Sequence, residues 1–257
     1  MLDDKVAVIY GAGGAIGGAV ARAFAREGAR VFVTGRVAEP VAALAREIGG
    51  GAEAAAVDAL DEAAIERHLS GVIEVAGRLD ISFNAIGIPD ATILGGSLLD
   101  IEARRYALPI ENYTLSYFLT ARLAARRMIR QKSGVIMTVS ALPARTGVSG
   151  NGGYGPAMAA KEAMTRDLSA ELAPQGIRVV NLRPHGMPET KTMHEVHETK
   201  MAGMPYAQFE GFLAGSTHRK RAMRLDEVAE VAAFVASDRA SGLTGTTVNL
   251  TMGSLDD

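Results

Sequence analysis

Two kinds of segment alternate along this chain. Short runs of β-branched and other apolar residues are followed by longer, Ala-rich stretches whose apolar positions recur at helical spacing. The strand-like runs are Lys5–Tyr10, Arg30–Thr34, Ala54–Val57, Asp80–Asn84, Gly134–Val139, Arg178–Leu182 and Thr246–Leu250. Ile16–Glu27, closed by Gly28, and Val41–Ile48, before the Gly49–Gly51 breaker, are the first predicted helices. Runs apolar on both faces and joined through helices predict a mostly parallel sheet covered on two sides. Right-handed crossovers make this a doubly wound α/β fold of about seven strands, in which ligands sit beyond the carboxyl ends of the strands. One segment breaks the alternation. Between His185 and Arg221 lie Met187, Met193, Met201, Met204, Tyr206, Phe209 and Phe212 among charges and glycines, with no strand. Such an insertion reads either as a substrate lid or as a helical pair that merely covers the sheet.

Composition narrows the function classes. The 257 residues suit one large α/β domain, and no Pro/Ser-rich or charged run supplies a linker. Hydrophobic residues make up 48%, enough for a sizeable core. A formal net charge of -2 with both signs scattered argues against nucleic acid. The start, MLDDKVAVIY, lacks the basic and apolar regions of a secretory signal, and no run of 18 apolar residues is present to span a membrane. The absence of cysteine excludes disulfides, thiolate nucleophiles and Cys-based zinc sites. These features predict a cytoplasmic protein.

The clearest chemical signal follows the first strand, in YGAGGAIGGA. Gly11 and Gly13 permit a tight turn and close backbone approach, and Gly17 lets the next helix lie near the strand. Free N–H groups at that helix start suit a pyrophosphate. The strict G-x-G-x-x-G spacing fails because Ile16 stands at the third glycine position, so a glycine-rich connection without a ligand is the competing reading. After the second strand come Thr34, Gly35 and Arg36 rather than an acidic residue. Arg36 offers a guanidinium for a 2′-phosphate, which favours NADP(H) over NAD(H), unless it is simply a solvated surface arginine.

Several separate stretches, in the right order, resemble the short-chain dehydrogenase/reductase family along essentially the whole chain. YGAGGAIG is similar to its Gly-x-x-x-Gly-x-Gly turn, with Ala15 in the middle glycine's place. Asp58 matches the acidic residue that holds the adenine ring. NAIG, Asn84–Ala85–Ile86–Gly87, matches the Asn-Ala-x-Gly after the fourth strand. ELAPQGIRVVNLRP and RLDEVAEVAAFVASDRASGLTG resemble the family's later segments, with His185 wedged before Gly186. The resemblance implies a Rossmann fold with helices on both faces. It also implies a homo-oligomer, dimer or tetramer, paired through the stretches Glu111–Arg130 and Ala157–Ala173, which could equally pack on the sheet.

The family's catalytic pattern is a Tyr four residues before a Lys, a Ser about a dozen residues upstream, and an Asn on the preceding long helix. Here Ala157 stands four before Lys161, Ala141 falls in register with the serine, and Tyr113 with the asparagine. Tyr154 is seven residues before Lys161, a spacing that resembles the enoyl-thioester reductase branch of the superfamily. Seven helical residues advance about 700° and about 10.5 Å, so direction is retained and axial distance is the difficulty. Gly155 and Pro156 read as helix cap and first helical residue, which would leave Tyr154 on the incoming loop, free to fold back. A nearby Lys161 cation would lower the phenol toward working pH and improve acid–base catalysis. Tyr154, Lys161 and, more weakly, Ser140 are therefore the candidate catalytic residues.

Gly11, Gly13, Ile16, Gly17, Arg36, Asp58, Asn84, Ala85, Gly87 and Lys161 are the candidate cofactor contacts. His185 is a candidate substrate contact or a capping residue. His194 and His197 are three apart, but no carboxylate arrangement clearly completes a metal site, and a polar lid surface is expected instead. The resulting expectation is one domain over residues 1–257 with a substrate lid at about 185–222. It would be an NADP(H)-dependent oxidoreductase acting on a carbonyl/alcohol or an activated C=C of an apolar small molecule. The competing expectation, motivated by Ala157 and Ala141, is a nucleotide-binding protein without turnover that senses the cofactor or serves as a structural partner.

Overall fold

The computed structural model describes residues 1–256. Seven parallel strands lie in the order β3-β2-β1-β4-β5-β6-β7. They are β1 (Val6–Tyr10), β2 (Arg30–Gly35), β3 (Glu53–Ala56), β4 (Ile81–Asn84), β5 (Gly134–Val139), β6 (Ile177–Pro184) and β7 (Thr246–Leu250). The order reverses direction between β1 and β4, which opens a crevice at the carboxyl edge there. All seven predicted strands are present.

Side-chain alternation divides the core between the two faces. On one, Ala7, Ile9, Val31, Val33, Phe83 and Met137 pack under α1 (Ala15–Arg26), α2 (Ala38–Ile48) and α9 (Leu225–Ala236). On the other, Val6, Val8, Tyr10, Phe32, Ile136 and Val179 pack under α3 (Glu62–Ala76), α5 (Ala103–Gln131) and α6 (Tyr154–Leu172). This produces the doubly wound α/β architecture expected.

The register places Thr34, Tyr10, Asn84, Thr138, Asn181 and Thr247 in one row across six strands. Everything just beyond that row borders the crevice. A short helix α4 (Asp90–Ile93) follows β4, and α7 (Lys191–Lys200) and α8 (Tyr206–Ser216) follow β6.

α5 begins at Ala103 and runs through Pro109, so it includes the stretch Glu111–Arg130 and extends before it. Within residues 185–222, α7 and α8 form a helical pair, with Met187 and Phe209 buried and Phe212 58% exposed. One local result departs from expectation. α6 begins at Tyr154 itself, with Gly153 as its cap, so Gly155 and Pro156 lie inside the first turn. The reason is steric. A Cβ on residue 153 would stand 2.0 Å from the Tyr106 carbonyl oxygen, so only glycine lets α6 start against α5 at this point.

Candidate active site

The turn after β1 makes the floor of the crevice. Gly11 has φ +75°, and a Cβ there would lie 2.5 Å from the Ala85 carbonyl oxygen. The chain therefore passes backbone to backbone between β1 and β4. Gly13, Gly14 and Ala15 are exposed, Ile16 is half-buried against the core, and Gly17 is buried beside the Gly11 carbonyl. No side chain caps α1, so its first N–H groups face outward with the helix's partial positive end. This uncapped, side-chain-free cradle at the switch point fits a pyrophosphate.

Around it, Arg36 is exposed at the end of β2 and makes no ion pair among the described residues. Asp58 is exposed beyond β3, its carboxylate accepting from Leu60 N at 3.0 Å. Ala85 and Ile86 are half-buried and Gly87 is exposed on the crevice loop. Asn84 does not join them. It is 1% exposed, donates to Thr120 Oγ1 of α5 at 3.0 Å, and accepts from Ile86 N at 3.4 Å. The residue is an internal strut that shapes the loop, set back one position from the crevice by the register of β4.

Lys161 is carried into the interior by α6 and is 1% exposed. Its ammonium donates to the Val139 carbonyl at 2.7 Å and stands 5.5 Å from the Tyr113 ring centre and 5.9 Å from that of Tyr117. Burial brings its pKa down to about 7. Tyr154 is half-buried at the start of the same helix, and its phenol oxygen has no partner among the described residues. Its ring packs edge-on against Tyr113, centroids 5.8 Å apart.

Tyr113 thus neighbours both residues. Its hydroxyl accepts from Ile88 N at 3.2 Å. Ala157, Met158 and Tyr113 share an apolar cluster with Ile93 of α4 and the adjoining Leu94, against which Ala141, Tyr154 and Val196 pack. Where the family pattern carries hydroxyls, this chain carries two methyl groups. The expected lowering of the Tyr154 phenol is not what the site produces. Burial, followed by Tyr113 and Asp90, pushes it well above its ordinary value.

Ser140 points elsewhere. It is 4% exposed, donates to Glu162 Oε1 at 2.9 Å and accepts from Asn181 Nδ2 at 2.8 Å. Arg183 Nε and an Nη atom grip the same Glu162 carboxylate at 2.7 and 3.0 Å. Strand alternation sends Ala141 toward the crevice cluster and Ser140 into this buried ionic network, which joins β5, α6 and β6. His185 is likewise occupied, with Nε2 3.0 Å from Ser216 Oγ, linking the residue after β6 to the end of α8. His194 stacks on Tyr206 at 4.0 Å, and His197 Nε2 lies 2.6 Å from the Met204 carbonyl.

Sequence reasoning missed one group altogether. Asp90, three residues past Gly87, is 6% exposed. Its backbone N–H donates to Glu195 Oε2 of α7 at 3.2 Å, while no hydrogen bond or ion pair reaches its own carboxylate among the described residues. Burial, then Glu195, raises that carboxyl to about 6. The available signal was its place just beyond the carboxyl end of β4, where a carboxylate follows Pro89.

A family model described as enoyl-(acyl carrier protein) reductase matches residues 11–254. The chain belongs to the short-chain dehydrogenase/reductase family. It is 27% identical over 251 residues to 3-oxoacyl-(acyl-carrier-protein) reductase FabG of Escherichia coli strain K12, covering 98% of this chain and 97% of that protein. The sorbitol-6-phosphate 2-dehydrogenase SrlD of Erwinia amylovora superposes with TM-score 0.90 at 25% identity, covering 98% of this chain and 100% of that one. The 3-ketoacyl-(acyl-carrier-protein) reductase of Brucella melitensis, solved with NADH, superposes with TM-score 0.87 at 27% identity, covering 99% of each. The protein is thus an oxidoreductase of the short-chain dehydrogenase/reductase type. Among its described residues no helix is long and apolar enough to cross a membrane.

Proposed function

We propose that this short-chain dehydrogenase/reductase is a single-domain, NADP(H)-dependent enzyme that interconverts a carbonyl and an alcohol on a small apolar substrate. Lys161 carries the reading. A lysine buried to 1%, held by one backbone carbonyl at the end of β5 and brought down to about 7, is expensive to bury without a ligand beside it. The nicotinamide cofactor, when bound, supplies or accepts the hydride. The chain's own residues do the rest. The uncapped start of α1 receives the pyrophosphate; Arg36, with no competing ion pair, takes a 2′-phosphate; Lys161 holds the nicotinamide ribose.

Tyr154 has the half-buried phenol with no internal partner, and it donates the proton to the developing alkoxide. α7 and α8 close the site, and the cluster of Ile93, Leu94, Tyr113 and Met158 gives the substrate an apolar wall and excludes water. Relatives named as reductases and dehydrogenases favour turnover over cofactor sensing. Carbonyl rather than C=C chemistry rests on the 3-oxoacyl and sorbitol-6-phosphate relatives, and on Tyr154 being helical rather than looped back. Subunits pair through α5 and α6, where Leu115 and Phe118 are 45% and 40% exposed.

The test is NADPH oxidation with acetoacetyl-coenzyme A, fructose 6-phosphate and crotonoyl-coenzyme A, for wild type and Tyr154→Phe. Turnover of a carbonyl probe that falls about a hundredfold or more in the variant is expected. Turnover of the enoyl probe alone, or a Phe variant at full rate, overturns the reading.

A further inference from the structure

We propose that Tyr113 and Tyr117 are positioning residues of this site: their ring faces form an aromatic cage that holds the buried Lys161 ammonium as a cation and aims it at the cofactor. What Lys161 does rests on the oxidoreductase reading above; how it is held rests on the distances.

The placement follows from α5. Residues four apart share a helix face, so Tyr113 and Tyr117 project together onto α6, against which α5 packs. They are 6% and 0% exposed. Lys161 Nζ stands over both rings, 5.5 Å from the centre of Tyr113 and 5.9 Å from that of Tyr117. At such distances the negative face of a ring attracts a cation. The ammonium has one hydrogen bond among the described residues, to the Val139 carbonyl at 2.7 Å. No salt bridge joins it. The adjacent carboxylate, Glu162, is taken by Arg183 at 2.7 and 3.0 Å and by Ser140 at 2.9 Å. Burial is what lowers the Lys161 pKa, and no charged group offsets it. A cation in an apolar interior without a counter-charge needs another source of negative potential. Two ring faces and one carbonyl are what surrounds this one.

Both rings are fixed at their far ends. The Tyr113 hydroxyl accepts from Ile88 N at 3.2 Å. Thr165 Oγ1 donates to the Lys161 carbonyl at 2.9 Å, which commits its proton, so the Tyr117 hydroxyl, 3.1 Å away, donates to Thr165 Oγ1. Tyr117 therefore braces the backbone of Lys161 through Thr165 while its ring faces the ammonium. Tyr113 also packs edge-on against Tyr154, centroids 5.8 Å apart. One ring thus touches both groups assigned to the chemistry, across the two or so turns of α6 that separate them. An aliphatic side chain of like volume would fill the same space without attracting the cation. With one N–H on Val139, two remain for the nicotinamide ribose.

Fluorination tests this, because it drains the ring face of negative charge while nearly keeping its shape. The Tyr113→Phe protein is compared with proteins carrying 4-fluoro-, 3,5-difluoro- and 3,4,5-trifluorophenylalanine at position 113, and the same series is made at position 117. Lysine labelled with 13C at Cε reports on the ammonium directly, the Lys161 resonance being assigned by its loss in Lys161→Met. The titration midpoint of that resonance should fall by about one pH unit across each series, because a weaker ring face favours the neutral amine. NADPH binding, read by fluorescence, should weaken about tenfold over the same steps. Tyr113→Leu should move the resonance downfield, toward that of exposed lysines, as the ring current is lost, whereas Tyr113→Phe should keep it in place. A midpoint that stays flat with fluorination overturns the cage and leaves two rings that only fill space. A midpoint that falls while NADPH affinity holds constant overturns the aim at the cofactor. A wild type that reduces none of the carbonyl probes defeats the oxidoreductase reading, while a stepwise midpoint still upholds the cage.

Discussion

Replacing Asp90 by asparagine should stabilise the folded protein, and more so at alkaline pH. An aspartate that ionises at 3.8 in the unfolded chain and at about 6 when folded binds its proton more tightly in the native state. Its contribution is therefore most favourable below 3.8 and is lost as pH rises through the folded value. At pH 8 the ionised carboxyl in the fold carries a penalty of about 2.2 × 1.36, or about 3 kcal/mol. At pH 5 the same relation leaves about 1.6 kcal/mol. Water reaching part of the side chain reduces both, so the difference between the two pH values is about 1 kcal/mol. Asparagine has nearly the same shape, and any fixed cost of its unpaired amide cancels between pH values. Urea unfolding of both proteins at pH 5 and pH 8 measures the quantity. The gain from the substitution should be larger at pH 8 by about 1 kcal/mol. An equal effect at the two pH values, or a larger gain at pH 5, refutes the account of a buried carboxyl without a partner.

Arg36→Ala should weaken NADPH binding about tenfold or more and leave NADH nearly unchanged, because only the 2′-phosphate needs the guanidinium; fluorescence titration with both cofactors checks it. Glu162→Ala removes the carboxylate that the buried Arg183 guanidinium and Ser140 hydroxyl both use and should destabilise the fold, read as a drop in Tm. Phe118→Asp places a charge on the exposed apolar face of α5 and should shift the assembly toward monomer in sedimentation, with the far-UV spectrum unchanged.

The framework was legible because the central strands are runs apolar on both faces and most strands are followed by a helical period. The pairs Tyr10–Gly11 and Thr34–Gly35 mark the ends of two of them directly. The glycine turn after β1 was legible for a similar reason, since glycine spacing and helix start are local. What failed depended on contacts between distant segments. The start of α6 is decided by the Tyr106 carbonyl, far away in the chain, so Pro156 was misread as the first helical residue. The direction of Ser140 is decided by Glu162 and Arg183, which offer a buried hydroxyl an ionic partner. The inward turn of Asn84 is decided by Thr120 of α5, which accepts its amide. Asp90 carries no motif at all, and its meaning depends on α7 laying Glu195 over α4.

The ring of Tyr113 has a bearing on any attempt to convert this site to the family's usual arrangement. Ala157 is 0% exposed and shares its cluster with that ring, so a lone Ala157→Tyr exchange would force two phenols into the volume of one. At this point of the wall the aromatic ring stands on α5, at Tyr113, and not at position 157 of α6. Reversion therefore requires Tyr113→Asn in the same gene as Ala157→Tyr, with Ala141→Ser to follow. Single-step mutational paths between the two designs pass through a misfolded or hollow intermediate.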